Sequence, residues 1–142
     1  MRLLAALVTL SVLAAAGALA SAEAARKPTP KERIAIGTAV ILQVPSVQGQ
    51  TTLFVVRRIV VSTGEPGARA PFTRFAAASG FGMDESGVYP EGPRTALVGL
   101  HRRTGRWTVV DYGVRRIGCR RPQSSFGGRR TTILRDLGIR CG

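Results

Sequence analysis

The chain is poor in the side chains that most chemistry uses. It has one histidine, His101, and two cysteines, Cys119 and Cys141. A zinc site of the histidine and cysteine type is therefore excluded by count. Lysine occurs only at 27 and 31, and every other basic residue is arginine. The glycine-rich stretch SGFGMDESG has no following lysine and no third glycine at the right spacing, so it is neither a P-loop nor a dinucleotide fingerprint. Its acids, Asp84 and Glu85, are adjacent and do not alternate as a calcium loop requires. Aromatics make up 6% of the chain, too few for a base-stacking platform. Apart from residues 3–19, no uncharged apolar run approaches the ~20 residues that a spanning helix needs.

That one run reads as a signal. Arg2 supplies the positive start, Leu3 to Leu19 is apolar, and Ala20-Ser21-Ala22 is an A-x-A cleavage site, with Ala18-Leu19-Ala20 as the competitor. Residues 1–22 are thus expected to be a signal peptide and the protein to be secreted or on the cell-envelope exterior. The alternative is an uncleaved membrane anchor. Loss of Arg2 with the signal leaves 20 basic residues against 8 acidic, a net charge of +12. Such a balance favours polyanions as partners, although with abundant Ala and Gly it also follows from a GC-rich genome.

Residues 23–29 read as a mobile leader, and 30–142 as a single small domain. Thr29-Pro30-Lys31-Glu32 has the pattern of a capping box with proline at the first helical position. Ile34, Thr38, Ile41 and Leu42 follow at helical spacing, whereas Ile36, Val40, Leu42 and Val44 also suit a strand. A helix over 30–42 is the expectation, ended by Pro45. TTLFVVRRIVVS is the strongest strand, apolar on both faces except at Arg57 and Arg58, which mark a bulge, a strand end, an ion pair with Glu65 or Asp111, or an exposed stretch. Residues 64–71 read as a loop, PFTRFAAA as a short strand, and 79–94 as a long irregular segment holding Asp84, Glu85 and Glu91.

TALVGLHRR and RWTVVDYG flank Thr104-Gly105 and predict a β-hairpin. A two-residue loop pairs Arg103 with Arg106 and sets Arg102 opposite Trp107. Val98, Leu100, Val109 and Asp111 then share the face of Trp107, and Leu97, His101, Thr108, Val110 and Tyr112 take the other. RRTTILRDLG predicts a helix stopped by Gly138. In a secreted chain, Cys119 and Cys141 are expected to form one disulfide, closing a loop of 23 residues and worth about 3 kcal/mol.

The order Gly105, Trp107, Val109, Val110, Gly113, Cys119, Pro122, Asp136, Leu137, Gly138 and Cys141 resembles the C-terminal pattern of small secreted proteins of high-GC bacteria, and VRRIVVSTGEPGARA resembles a middle segment of the same group. The resemblance implies a secreted, disulfide-bonded α+β protein and no catalytic residue.

The expected fold is therefore α+β: an N-terminal helix, an antiparallel sheet of about four strands, and a C-terminal helix tethered by the disulfide. No catalytic residue, metal site or small-molecule cofactor is assigned. Cys119 with His101 as nucleophile and base is the weaker use of that thiol, because a disulfide partner is present. The candidate anion-binding residues are Arg102, Arg103, Arg106, Arg115, Arg116, Arg120 and Arg121. On one face they would hold an anionic polymer or an envelope surface. The competing function is a small secreted hydrolase using the carboxylates of 79–94.

Overall fold

The run Phe75-Ala76-Ala77-Ala78 is buried along its whole length. Strand alternation sends Phe75 and Ala77 to one side and Ala76 and Ala78 to the other, so the strand that carries them must be covered on both faces. The computed structural model describes residues 25–48, 53–83 and 93–142. The signal-peptide reading of 1–22 and the acids Asp84, Glu85 and Glu91 lie outside the described residues.

The elements are β1 (Ala25–Arg26), α1 (Pro30–Gln48), β2 (Leu53–Ser62), β3 (Phe72–Met83), β4 (Pro93–His101), β5 (Trp107–Gly113), a 3-10 turn (Gln123–Phe126) and α2 (Arg130–Asp136). The strands form one antiparallel meander in the order β1-β2-β3-β4-β5. On one face, Ile36, Ala39, Val40 and Val44 of α1 pack over Phe54, Val61, Ala76, Ala78, Ala96, Val98 and Trp107. On the other, Ile117, Phe126, Ile133, Leu134 and Leu137 pack over Phe75, Ala77 and Leu97. The rings of Phe75 and Phe126 stack at 4.7 Å between centroids.

This α+β arrangement corrects several expectations. The sheet has five strands and not four, and the helix is not the first element, because Ala25–Arg26 of the supposed leader pairs with Val61 and Ser62. What ties the leader down is charge. Arg26 holds both carboxylate oxygens of Glu32 at 2.7 Å, and Arg74 of β3 reaches Oε1 at 2.8 Å. The same carboxylate closes the capping box: it accepts the Thr29 N–H at 2.9 Å while the Glu32 N–H donates to Thr29 Oγ1 at 3.2 Å.

α1 runs on through Pro45 to Gln48. Proline's φ suits a helix, and near the end only one N–H is lost. Its buried stripe is Ile36, Ala39, Val40 and Val44. The stripe expected to face inward is outside, with Ile34 72%, Ile41 44% and Leu42 69% exposed. The segment has two apolar stripes, and periodicity cannot choose between them.

β2 has its irregularity between Val56 and Arg58. This bulge leaves both arginines exposed, with Arg57 6.0 Å above the Phe81 ring. β3 continues to Met83, past the point where the irregular segment was expected to start. Gly80 is strand and not loop: a Cβ there would lie within 2.9 Å of the Val55 carbonyl carbon, so only glycine permits β2 and β3 to approach this closely.

The hairpin loop is longer than two residues. Leu100 faces Trp107, and the His101 N–H donates to the Arg106 carbonyl at 2.9 Å. Arg102 is drawn out of the ladder because its N–H donates to Pro71 O at 2.7 Å and its Nε to Ala70 O at 3.0 Å. Val98, Leu100, Trp107 and Val109 do share the α1 face. Between Leu97 and Val98 the register shifts again. This β5 bulge turns Tyr112 to the α1 side, edge-on to Phe54 at 5.4 Å, and leaves Asp111 opposite Leu97 on the other side. At the end of α2, Gly138 adopts φ 75, and the N–H groups of Gly138 and Ile139 donate to Arg135 O and Leu134 O at 2.9 and 2.8 Å. This Schellman closure is the stop the sequence predicts.

β5 is an edge strand, and α1 closes part of that edge. The Gln43 side chain accepts the Val109 N–H at 2.8 Å and donates to the Trp107 carbonyl at 3.2 Å, in place of a neighbouring strand. Replacing Gln43 by Ala strips both groups of a partner. The expected loss is ~1–2 kcal/mol of stability, with faster exchange of the Val109 amide; an unchanged exchange rate would show that water serves equally well.

Hydrogen bonding to Arg26 is the largest cause that holds the Glu32 carboxyl down to about 2 from an ordinary 4.5. A depressed carboxylate stabilises the fold above its unfolded value and loses that contribution as pH falls through the folded value. Glu32→Gln should therefore cost on the order of 2 kcal/mol at neutral pH, after allowance for solvent screening of the arginines. It should also flatten the stability curve between pH 4.5 and about 2. Urea unfolding across that range checks this; a variant that keeps the wild-type acid limb would place it in other carboxylates.

Candidate functional site

The seven arginines do not share a face. Arg102, Arg103 and Arg106 lie in the β4–β5 loop, whereas Arg115, Arg116, Arg120 and Arg121 follow the far end of β5. The seven residues of β5 between them span roughly 20 Å. Arg102 is engaged in holding the loop to Ala70, and Arg103 and Arg106 are exposed. The hairpin tip is thus a structural corner with two solvated charges.

The far end is organised by three fixings. Asp111, turned by the β5 bulge, accepts the Gly118 N–H at 2.6 Å. Ile117 is buried in the core between sheet and α2. Cys119 is bonded to Cys141, with Cα atoms 5.5 Å apart. Together they fold 114–119 back over the sheet end and lay the tail after α2 alongside. Gly118, at φ 76, has no room for a Cβ, which would lie 2.7 Å from Leu97 Cδ2.

Arg116 is the one described residue other than glycine with a positive φ, 54°. That backbone region is costly for a side chain of this size. Its Nε donates to the Cys141 carbonyl at 3.1 Å. The guanidinium is therefore held between a strained turn and the disulfide-bound tail.

Arg115, Arg116 and Arg140 line an open depression of about 760 Å³ together with Thr95, Val114, Ile117 and Ile139. Among the described residues, no acidic side chain contributes to its lining. A second depression of about 490 Å³ shares Thr95, Gly138 and Ile139 with it and adds Arg58, Val60, Ser79 and Asp136. The two make a groove beside the tail, floored by the hydroxyl pair of Ser79 and Thr95 at 3.3 Å. Asp136, at the second end, accepts a hydrogen bond from Ser62 Oγ at 3.2 Å. Arg115 and Arg116 also border a smaller hollow with Asp111, Tyr112, Ile117 and Arg120. Arg121 lines none of these three; its carbonyl accepts from Arg130 at 2.7 Å.

Arg140 and Arg58 are functional candidates outside the seven arginines that the sequence assigned to anion binding. The signal for Arg140 was its position next to Cys141: once 119 and 141 are joined, residue 140 must lie near 115–118. Arg58 was marked in the sequence only as a break in an apolar strand, and β2 and β3 bring it to the site through the pairing of Arg58 with Ser79.

A cysteine nucleophile with a histidine base is not assembled. Cys119 is in the disulfide, and His101 sits at the opposite end of β4, where its Nδ1 accepts the Arg103 N–H at 3.3 Å. Among the described residues, no group of three His, Cys, Asp or Glu side chains could hold a metal ion. No protein-family model, curated protein or solved structure matches this chain.

The wall formed by the tail depends on one covalent bond. Cys141→Ser, or reduction of the wild type, should lower stability by about 2–4 kcal/mol. It should also speed amide exchange in 138–142 before the sheet is affected. Equal exchange in both forms would show that the Schellman turn and Ile139 hold the tail without the disulfide.

Proposed function

We propose that this chain is a secreted, non-enzymatic, cationic binding module of the cell envelope exterior, and that it takes anionic groups in the groove beside its C-terminal tail. One observation carries the reading: the Cys119–Cys141 bridge brings Arg115, Arg116 and Arg140 to a single depression that no acidic side chain of the described residues lines. Arginine suits this task, because its planar fork binds carboxylate or phosphate through paired hydrogen bonds. A guanidinium already restrained, as at Arg116, loses less freedom on binding. The open form of the groove and its apolar side chains, Val114, Ile117 and Ile139, fit a segment of polymer lying across it. A disulfide and a run ending in A-x-A fit an oxidising compartment outside the cell.

The chemistry of hydrolysis has less support. Asp84, Glu85 and Glu91 lie outside the described residues. Asp111 and Asp136 line separate depressions, and each already holds a hydrogen-bond donor.

The test uses polyphosphate as the anionic polymer, in a salt series. Arg115→Gln, Arg116→Gln and Arg140→Gln together should weaken binding at least about tenfold and flatten the salt dependence. The matched triple change at Arg102, Arg103 and Arg106 removes the same charge at the other end of β5. Its expected effect is a small fraction of that. Equal loss in both triple variants would mean that net charge alone attracts the polymer, and the groove would have no part in it.

A further inference from the structure

Between Arg33 and Arg57 the chain has no charged residue, yet α1 lies on the outside of the protein. Its outward stripe consists of Ile34, Ala35, Thr38, Ile41 and Leu42, all exposed. This is the stripe that the sequence marks at core spacing and that the protein's own core does not use. Three large aliphatic side chains in a row on one helix face form an exposed apolar patch of the kind that a partner or a membrane covers.

The surroundings of the stripe say which. Lys27, Lys31 and Arg33 are exposed at the start of α1. Arg33 borders a small hollow with Gly37 and the β2 bulge, which adds Arg57 along the flank of the helix, while Arg58 pairs with Ser79 and lines the groove. The one acid of α1, Glu32, is already held by Arg26 and Arg74. An apolar stripe whose described flank presents free cations is the arrangement of a helix that lies in an anionic membrane interface.

A second copy of the chain fits less well. Pairing α1 with its symmetry mate would bring the same four cations of each copy together. A contact limited to one helix face also falls short of the roughly 800 Å² per partner of a stable interface.

We infer that the outer face of α1 docks on the surface of an anionic lipid bilayer, with Ile34, Ile41 and Leu42 entering the acyl boundary and Lys27, Lys31, Arg33 and Arg57 facing the headgroups. The helix lies on the membrane and does not cross it; among the described residues no helix is long and apolar enough to do so. The inference is independent of the groove, which is on the opposite face of the sheet.

The experiment is sedimentation with vesicles of phosphatidylcholine alone and of phosphatidylcholine mixed with phosphatidylglycerol. The protein is used from Glu23 onward, which keeps every described element and leaves the apolar run 3–19 out of the assay. Wild type should bind the mixed vesicles. The triple change Ile34→Ser, Ile41→Ser and Leu42→Ser should reduce partitioning at least about tenfold with an unchanged melting curve, while Arg115→Gln with Arg116→Gln should retain it. Leu42→Trp provides a second readout that does not depend on the triple variant, a blue shift of fluorescence on the mixed vesicles. The inference is overturned if wild type ignores the vesicles, if the serine variant binds as wild type does, or if the indole introduced by Leu42→Trp stays in water. It is also overturned if light scattering shows a dimer that the serine changes dissociate, because a second copy then covers the face.

Discussion

Two-sided burial of the central strands is the constraint on which the rest of the structure depends. β3 and β4 present Ala76, Ala78, Ala96 and Val98 to α1 and Phe75, Ala77 and Leu97 to the C-terminal segment. Small side chains in the middle of the sheet allow large ones from both layers to reach in. Ile36, Val40 and Val44 enter from one side, and Phe126, Ile133 and Leu134 from the other. Neither layer is optional, since removal of either exposes half of the same strands. On the second side the 3-10 turn is seated by backbone contact: Gly67 and Gly127 approach so closely that a Cβ on Gly67 would lie 2.9 Å from Gly127 Cα.

Irregularities in this sheet do as much as its regular parts. The β2 bulge leaves Arg57 and Arg58 exposed in succession, where Arg58 reaches the groove and Arg57 borders the hollow beside α1. The β5 bulge turns Asp111 away from α1, and its carboxylate then fixes the Gly118 turn that begins the site. The disulfide adds the second wall. Charge is handled in the same economical way. Among the described acids, Glu32 joins β1, α1 and β3 through two arginines, and Asp136 joins α2 to the end of β2 through Ser62. The surplus arginines are left for the solvent and for ligands.

The two proposed surfaces lie on opposite sides of the sheet and use different physics. The groove relies on arginines converged by a covalent closure. The face of α1 relies on aliphatic side chains that no part of the described chain covers, with cations beside them. A protein held flat on an anionic bilayer by α1 would turn its groove away from the membrane, toward whatever polymers surround it. The hairpin tip, which holds Arg102, Arg103 and Arg106, is used by neither: Arg102 serves the fold, and its neighbours are solvated.

Local chemistry in the sequence determined much of this protein. Thr29 to Glu32 specified a capping box, Gly138 a helix stop, and two cysteines one disulfide. Each is a short-range matter of hydrogen bonds, φ angles or count. The tertiary structure alone decided which of two apolar stripes on α1 faces inward, because only the sheet offers a surface to choose it. It alone lengthened the hairpin loop, because the competing acceptors for Arg102, Pro71 and Ala70, are thirty residues away in the chain. Convergence of Arg58, Arg115, Arg116 and Arg140 likewise waited for strand pairing and disulfide closure. Residue spacing encodes neighbours along an element, and these groups are neighbours only across elements.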